Sequence, residues 1–260
     1  MNADQMTEIP RSLSVWETWL KGLPAAMMRD AFDPESWQAE YRVCMLFPDS
    51  SKVALRKSGS VALSVGPIAS QRRRLECRSE SGHSNKTRTV YRWQLDFQND
   101  RWGTPLTWSG AGDLLDKQKT PSGDPDFRYF DLRGNAYLQA RLAVKLGLSE
   151  TGDRQSLYRG TPTGDALTAE WTLVDALQQG RADELIQAGA FDLLEDFRVL
   201  RREQVLLSLG CFPVDADGGT VELTGTRRIG RGCVPVDYWQ APNGRVVVIT
   251  GMHKGACLDA

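Results

Sequence analysis

The stretch Thr87–Gln98, TRTVYRWQLDFQ, leaves the chain little choice of structure. Thr89, Tyr91, Trp93, Leu95 and Phe97 alternate with Arg88, Arg92, Gln94, Asp96 and Gln98, and only Val90 breaks the pattern. Successive side chains of a strand point to opposite faces, so this period of two gathers the large apolar residues on one side and the charges on the other. A strand with one dry and one wet face calls for an antiparallel partner. RRRLECRSE, residues 72–80, supplies it: Leu75 and Cys77 point one way, and Arg74, Glu76, Arg78 and Glu80 the other. SGHSNK between the two strands has the turn formers of a hairpin loop.

Elsewhere pattern and propensity compete. AYLQARLAVKLGLS, residues 136–149, is rich in helix formers, yet Ala136, Leu138, Ala140, Leu142, Val144, Leu146 and Leu148 all fall on alternate positions. We read residues 135–148 as one long strand, because a helix would scatter that set around its surface. Phe197, Val199, Val205, Leu207 and Leu209 alternate as well, so residues 197–209 are also read as strand. DADGG, residues 215–219, and APNG, residues 241–244, are tight-turn sequences and predict a C-terminal meander. Helix signals are few. Ser14-Val15-Trp16-Glu17 reads as a capping box opening a short helix that Gly22 stops, and a second short helix covers residues 25–31. Thr168 caps a helix running to Gln179 with Trp171, Val174 and Leu177 buried, and ADELIQAG extends the helical block to about residue 190.

The expected class is therefore α+β: an extended antiparallel sheet with short N-terminal helices and a helical block near residues 168–190. Residues 1–110 form a first region holding the basic hairpin. Residues 111–126 form a long loop, its glycine- and proline-rich sequence starting at Gly110, and residues 127–260 form a β-rich region with one helical insertion. The same pattern allows one continuous domain. No apolar run approaches the length that spans a bilayer as a helix, and the N-terminus lacks the basic-then-apolar pattern of a leader, so the expected location is cytoplasmic, with no membrane partner.

Few residues announce chemistry. Phosphate-binding, nucleophile-elbow and zinc-protease signatures are absent, and no cofactor is implied. Five cysteines at wide spacing predict buried thiols rather than a disulfide framework. Cys211, Cys233, His253 and Cys257 are the one set with ligand chemistry for zinc, but their spacing supports no site, and no metal is expected. The C-terminal CLDA departs from a prenylation signal at aspartate and reads as a strand end.

Charge is the stronger signal. Residues 51–110 carry 11 lysines and arginines against 4 acids, whereas residues 149–204 carry 11 acids against 6 arginines. Arg72, Arg74, Arg88 and Arg92 on the wet face, with Arg228 and Arg231 in GTRRIGRG, are the candidate anion-binding residues. The competing reading pairs the hairpin arginines with Glu76 and Glu80 across strands, and it is the one adopted here. Two functions follow. The first is a non-enzymatic binding or protein-interaction protein, with a protein partner or self-association through the opposed charges. The second is an RNA-binding protein or metal-independent ribonuclease that uses residues 51–110 for nucleic acid and His83 or His253 as acid and base.

Overall fold

The computed structural model describes residues 10–49, 52–82, 87–116, 127–137, 141–148, 154–160, 166–197, 199–252 and 254–259. The N-terminal helices are α1 (Arg11–Ser14), α2 (Glu17–Leu20) and α3 (Ala25–Arg29). Then come β1 (Trp37–Asp49), β2 (Lys52–Ala69), β3 (Arg72–Gly82), β4 (Thr87–Gln98), β5 (Pro105–Asp116), β6 (Phe127–Tyr137), β7 (Arg141–Leu148), β8 (Arg154–Gly160) and β9 (Leu167–Ala169). Helices α4 (Glu170–Gln178) and α5 (Ala182–Ala188) follow. The chain ends in β10 (Phe191–Glu195), β11 (Val199–Ala216), β12 (Gly219–Gly230), β13 (Val236–Gln240), β14 (Val246–Thr250) and β15 (Lys254–Leu258).

These strands form a single sheet in the order β8-β7-β6-β5-β4-β3-β2-β1-β15-β14-β13-β12-β11-β10-β9. Every neighbouring pair is antiparallel except β9 and β10. The sheet does not stay open. Register shifts at Val43/Cys44, Pro67/Ala69, Asp96/Phe97, Ser208/Gly210 and Trp239/Gln240 mark irregularities of the bulge kind, each of which adds local bend and twist. The accumulated curl returns the β9 edge to β5, giving a nearly closed barrel of twelve strands, β9 round to β5. Side chains make the seam: the Trp108 indole donates to the Phe197 carbonyl at 2.9 Å, Trp93 packs on Phe197 with ring centroids 5.0 Å apart, and Trp102 packs on Phe191 at 4.8 Å. Phe197 sits at φ 57°, a conformation a bulky residue holds only when its surroundings fix it.

This corrects the α+β expectation. The helices are short, and the sheet curls into a nearly closed barrel rather than lying open beneath them. Periodicity reports which side of a strand is dry, but an open sheet under a helix and a barrel closed on itself have the same dry side.

Other expectations are adjusted in detail. The β3–β4 hairpin has the expected faces, with Leu75 opposite Leu95 and Cys77 opposite Trp93. The long strand of residues 135–148 is extended but divided: β6 and β7 pair antiparallel, with Ala136 opposite Leu142, and residues 138–140 lie outside the described residues. β5 continues to Asp116, into the stretch read as loop, and residues 117–126 lie outside the described residues. The Ser14 capping box does not form: Ser14 ends α1, and α2 starts at Trp16 without a side-chain cap. Thr168 lies in β9 rather than capping α4.

The core has two parts. Outside the barrel, α1 packs on β14, α2 on β11 and α3 on β12. Leu13, Trp16, Leu20, Leu23 and Met28 are buried there. Gly255 is needed under Trp16, since a Cβ would lie 2.3 Å from the indole ring. Inside the barrel, α4 runs down the axis. Trp171 packs on Tyr41 of β1, Gln240 of β13 donates to the Leu177 carbonyl at 2.8 Å, and the Val246 amide of β14 donates to Gln178 at 3.0 Å. Side chains from Thr172 to Gln178 are all buried, so α4 closes one end of the barrel.

Candidate functional site

Two arginines point into the barrel. Arg73 lies at the end that α4 closes. It is 1% exposed, and its terminal amines donate to Asp175, Glu35 and the Pro34 carbonyl at 2.8–2.9 Å. Asp175, 2% exposed, also accepts from the Trp37 indole at 2.7 Å and from Gln179 at 2.9 Å. Burial raises the Asp175 carboxyl above its usual range, and Arg73 opposes that shift. The network ties β1, β3 and the segment before β1 to the plug.

The second arginine is Arg228 on β12, inward between Leu206 of β11 and Val236 of β13. It is 2% exposed, yet its Nε and Nη1 have no hydrogen-bond partner among the described residues. Tyr238, one strand over, has its hydroxyl buried and equally unpartnered. Burial first of all pushes its pKa up to about 12, while the adjacent Arg228, close enough to interact by charge and by a loose hydrogen bond, pulls it down. Burial works against the charge on Arg228, but the carboxylates of Glu170 and Glu195 favour it, and the guanidinium stays charged.

Glu170 opens α4 and faces this pair. Its charge interacts with Arg228 on β12, Lys254 on β15, and Glu195 and Asp196 at the end of β10, and it is felt by Cys77 on β3. Those strands lie on opposite walls, which places the carboxyl near the barrel axis. Burial pushes its pKa up to about 7, with Asp196 adding to the rise. The helix cap beneath it is Ala169, which has no side-chain oxygen to offer the first-turn amides.

The inner face grades along the barrel. At the α4 end Trp37, Leu75, Leu95, Phe97 and Val247 are buried. Toward the other end Ser79, Tyr91, Trp93, Val236 and Ile249 are part-exposed, and Lys254 is exposed. Among the described residues the inner face is thus tightest at the α4 end and more accessible away from it, and Glu170 is coupled electrostatically to Arg228 and Tyr238. A buried donor without an acceptor costs about 1–3 kcal/mol, more when charged, and Arg228 has two such nitrogens among the described residues.

The sequence candidates are scattered by comparison. Arg74 holds Asp96 at 2.6 Å, Arg88 holds Glu80 at 2.9 Å, and Arg92 holds Asp113. Arg78 also takes Glu80, at 2.6 Å. Arg72 and Arg231 are exposed. The outer face of β1–β5 carries an open groove of 690 Å³ lined by Gln38, Ser64, Glu76, Arg78, Arg92 and Gln94, but its two arginines already hold carboxylates. These pairs make no free phosphate-binding face, and RNA binding is not supported. Only Arg228 lies inside, apart from the others. His83 and His253 lie outside the described residues.

Among the described residues no three of His, Cys, Asp and Glu gather to hold a metal ion. Cys211 is exposed on β11, Cys233 follows β12, and Cys257 faces Cys44 on the outer side of β15 and β1. Burial pushes the Cys257 thiol up to about 12. No described helix is long and apolar enough to cross a membrane.

Sequence reasoning missed Glu170 and the separation of Arg228 from the hairpin arginines. The second had a signal. In a strand containing Arg227-Arg228 the two must face opposite sides, so one of them enters the dry face. Arg227 is the outward one and holds Asp237 at 2.6 Å. Glu170 had none, because nothing local says that a helix will lie inside a barrel.

The barrel has a solved counterpart. A β-barrel-like protein of Domain of Unknown Function DUF1849 from Brucella abortus superposes with a TM-score of 0.52 over 86% of this chain and 95% of its own, at 10% identity. That likeness shows the fold alone. Aeromonas veronii immune modulator A aligns over 95% of this chain and 99% of its own at 9% identity, with a TM-score of 0.24. No family model and no curated protein matches the sequence.

Proposed function

We propose that the chain is a non-catalytic binding protein that takes its ligand into the open half of the barrel. The observation that carries this reading is Arg228: a charged side chain on the inner face of the barrel, 2% exposed, with two nitrogens unpartnered among the described residues, in an interior whose residues Tyr91, Trp93 and Ile249 are part-exposed. A chain folding without a ligand gains nothing from burying a guanidinium in that state. Part-exposed Tyr91, Trp93, Trp171 and Ile249 provide apolar wall above a few convergent polar groups, the usual make-up of a small-molecule site. Catalysis has less support. The Cys77 thiol beside Glu170 is pushed up to about 12 by burial and is no nucleophile at neutral pH, and the Cys233 thiol is raised too.

The test is occlusion. The probe is 1-anilinonaphthalene-8-sulfonate, an anionic apolar dye, titrated by fluorescence. The wild-type protein binds it saturably, near one per chain, and Ser79→Trp, which fills the wall of the open half, abolishes that binding while unfolding at an unchanged temperature. Saturable binding untouched by Ser79→Trp would mean that the dye sits elsewhere and the lumen is not the site.

A further inference from the structure

We infer that the ligand is an amphipathic monocarboxylate, its carboxylate held between the Arg228 guanidinium and the Tyr238 hydroxyl and its apolar part lying along Trp93, Tyr91 and Ile249. This rests on the lumen reading and adds the ligand's chemistry. Three observations lead to it.

Among the described residues Arg228 Nε and Nη1 and the Tyr238 hydroxyl are buried and unpartnered, with burial keeping the phenol neutral, and the buried Gln204 Oε1, a neutral acceptor, lies on the neighbouring strand. A charged guanidinium with two unpartnered nitrogens calls for an anion, which a neutral amide oxygen does not supply.

Charge count limits that anion to one negative charge. The groups facing Glu170 are Arg228 and Lys254 as cations, Glu195 and Asp196 as anions, and Cys77 as an uncharged thiol. Glu195 is itself held by Arg201 at 2.8 Å, so Arg228 and Lys254 stand against Asp196, a surplus of one positive charge that suits a monoanion and not a dianion. A monoanion is accommodated when Glu170 is protonated, and its pKa of about 7 lets that happen near neutral pH. A carboxylate brought to Arg228 raises the Glu170 pKa further, so binding takes up a proton.

The wall selects the rest of the molecule. The part-exposed inner residues include the rings of Tyr91 and Trp93 on β4 and the branched side chain of Ile249 on β14, with Val236 opposite Arg228 on the adjoining strand. That wall receives hydrocarbon, and the rim Lys254 stands on the side where solvent enters.

Calorimetric titration with octanoate, octanol and octylammonium tests the inference on the full chain. Octanoate binds at least about tenfold more tightly than octanol at pH 6, the worth of one charge-assisted hydrogen-bonded pair, and octylammonium binds worst. Arg228→Met removes the preference for octanoate over octanol and keeps the octanol affinity. Tyr238→Phe weakens octanoate alone. Octanoate binding takes up a fraction of a proton at pH 7, read from buffers of different ionisation enthalpy, and weakens from pH 6 to pH 8; Glu170→Gln removes both effects. Equal binding of octanoate and octanol by the wild-type protein overturns the carboxylate assignment while leaving the lumen reading in place. Competition by millimolar inorganic phosphate reassigns the headgroup and also overturns it. No stoichiometric binding of any of the three sinks the lumen reading itself.

Discussion

Arg73 and Arg228 are both arginines on the dry face of a strand, 1% and 2% exposed, and they are built in opposite ways. Arg73 meets a carboxylate on the plug helix, a second carboxylate and a backbone carbonyl. Arg228 meets a tyrosine through no more than a loose hydrogen bond and a glutamate that burial drives toward its neutral form. The first arrangement pairs both terminal amines with oxygens of the chain, leaving only Nε unpartnered among the described residues, and its product is a closed barrel end. The second is incomplete, and its product is a site. Burial of a charge therefore says little until its partners are counted.

The sharpest way to break the comparison is to replace each arginine by methionine, which keeps most of the volume. Arg73→Met leaves Asp175 and the Trp37 indole in the interior without their cation, and it should cost about 3–5 kcal/mol in urea denaturation. Arg228→Met removes a poorly satisfied charge and should leave stability unchanged or higher. Equal losses would make Arg228 a structural residue and erase the distinction.

A smaller effect tests the electrostatics of the open half. The folded Glu170 carboxyl is raised from its ordinary 4.5 to about 7. A raised folded pKa means stability that is fully present below the unfolded value and lost as pH rises through the folded one. This group should lower stability between pH 4.5 and 7 by on the order of 2 kcal/mol, allowing for its partial exposure. Glu170→Gln should remove that part of the pH dependence, leaving the variant more stable than the wild type at pH 8 and level with it at pH 4. A wild-type profile unaltered by the substitution would place Glu170 in water rather than at the barrel axis.

The smallest expected effect separates the outer charges from both inner ones. Arg88→Gln loses a pair to Glu80 on the wet face and should cost only a few tenths of a kcal/mol, as partly exposed pairs do. A loss above about 1 kcal/mol would show that the outer pairs act as a network rather than as solvated decoration.

The sequence made parts of this arrangement readable. Alternation placed Leu75 and Cys77 on one face and Arg74 and Glu76 on the other, and extending it by one step already puts Arg73 with Leu75. The pairing of hairpin arginines with carboxylates was anticipated, with Glu80 rightly among the partners, but Asp96 and Asp113 were not foreseen. Glu80 serves Arg78 and Arg88, while Asp96 and Asp113 take Arg74 and Arg92. Asp113 was assigned to a loop because glycines surround it, yet Gly110 is there to admit Trp93: a Cβ would lie 1.8 Å from its ring. Composition marked those glycines as turn formers, and packing used them as space.

By itself the sequence determined the strands, their dry faces and their tight turns, because a side-chain period of two and the positive φ of Gly218 in the Asp217-Gly218 turn are local properties. Closure was not local. Whether a curled sheet meets its own far edge depends on twist summed over a dozen strands and on contacts such as Trp108 to Phe197, 89 positions apart. Only closure gives the barrel an inside, puts α4 along its axis, and sets Glu170 against Arg228 and Tyr238. The alternation could say that an arginine faces inward, but its satisfaction depends on residues from other strands and a helix that only the tertiary structure brings to it.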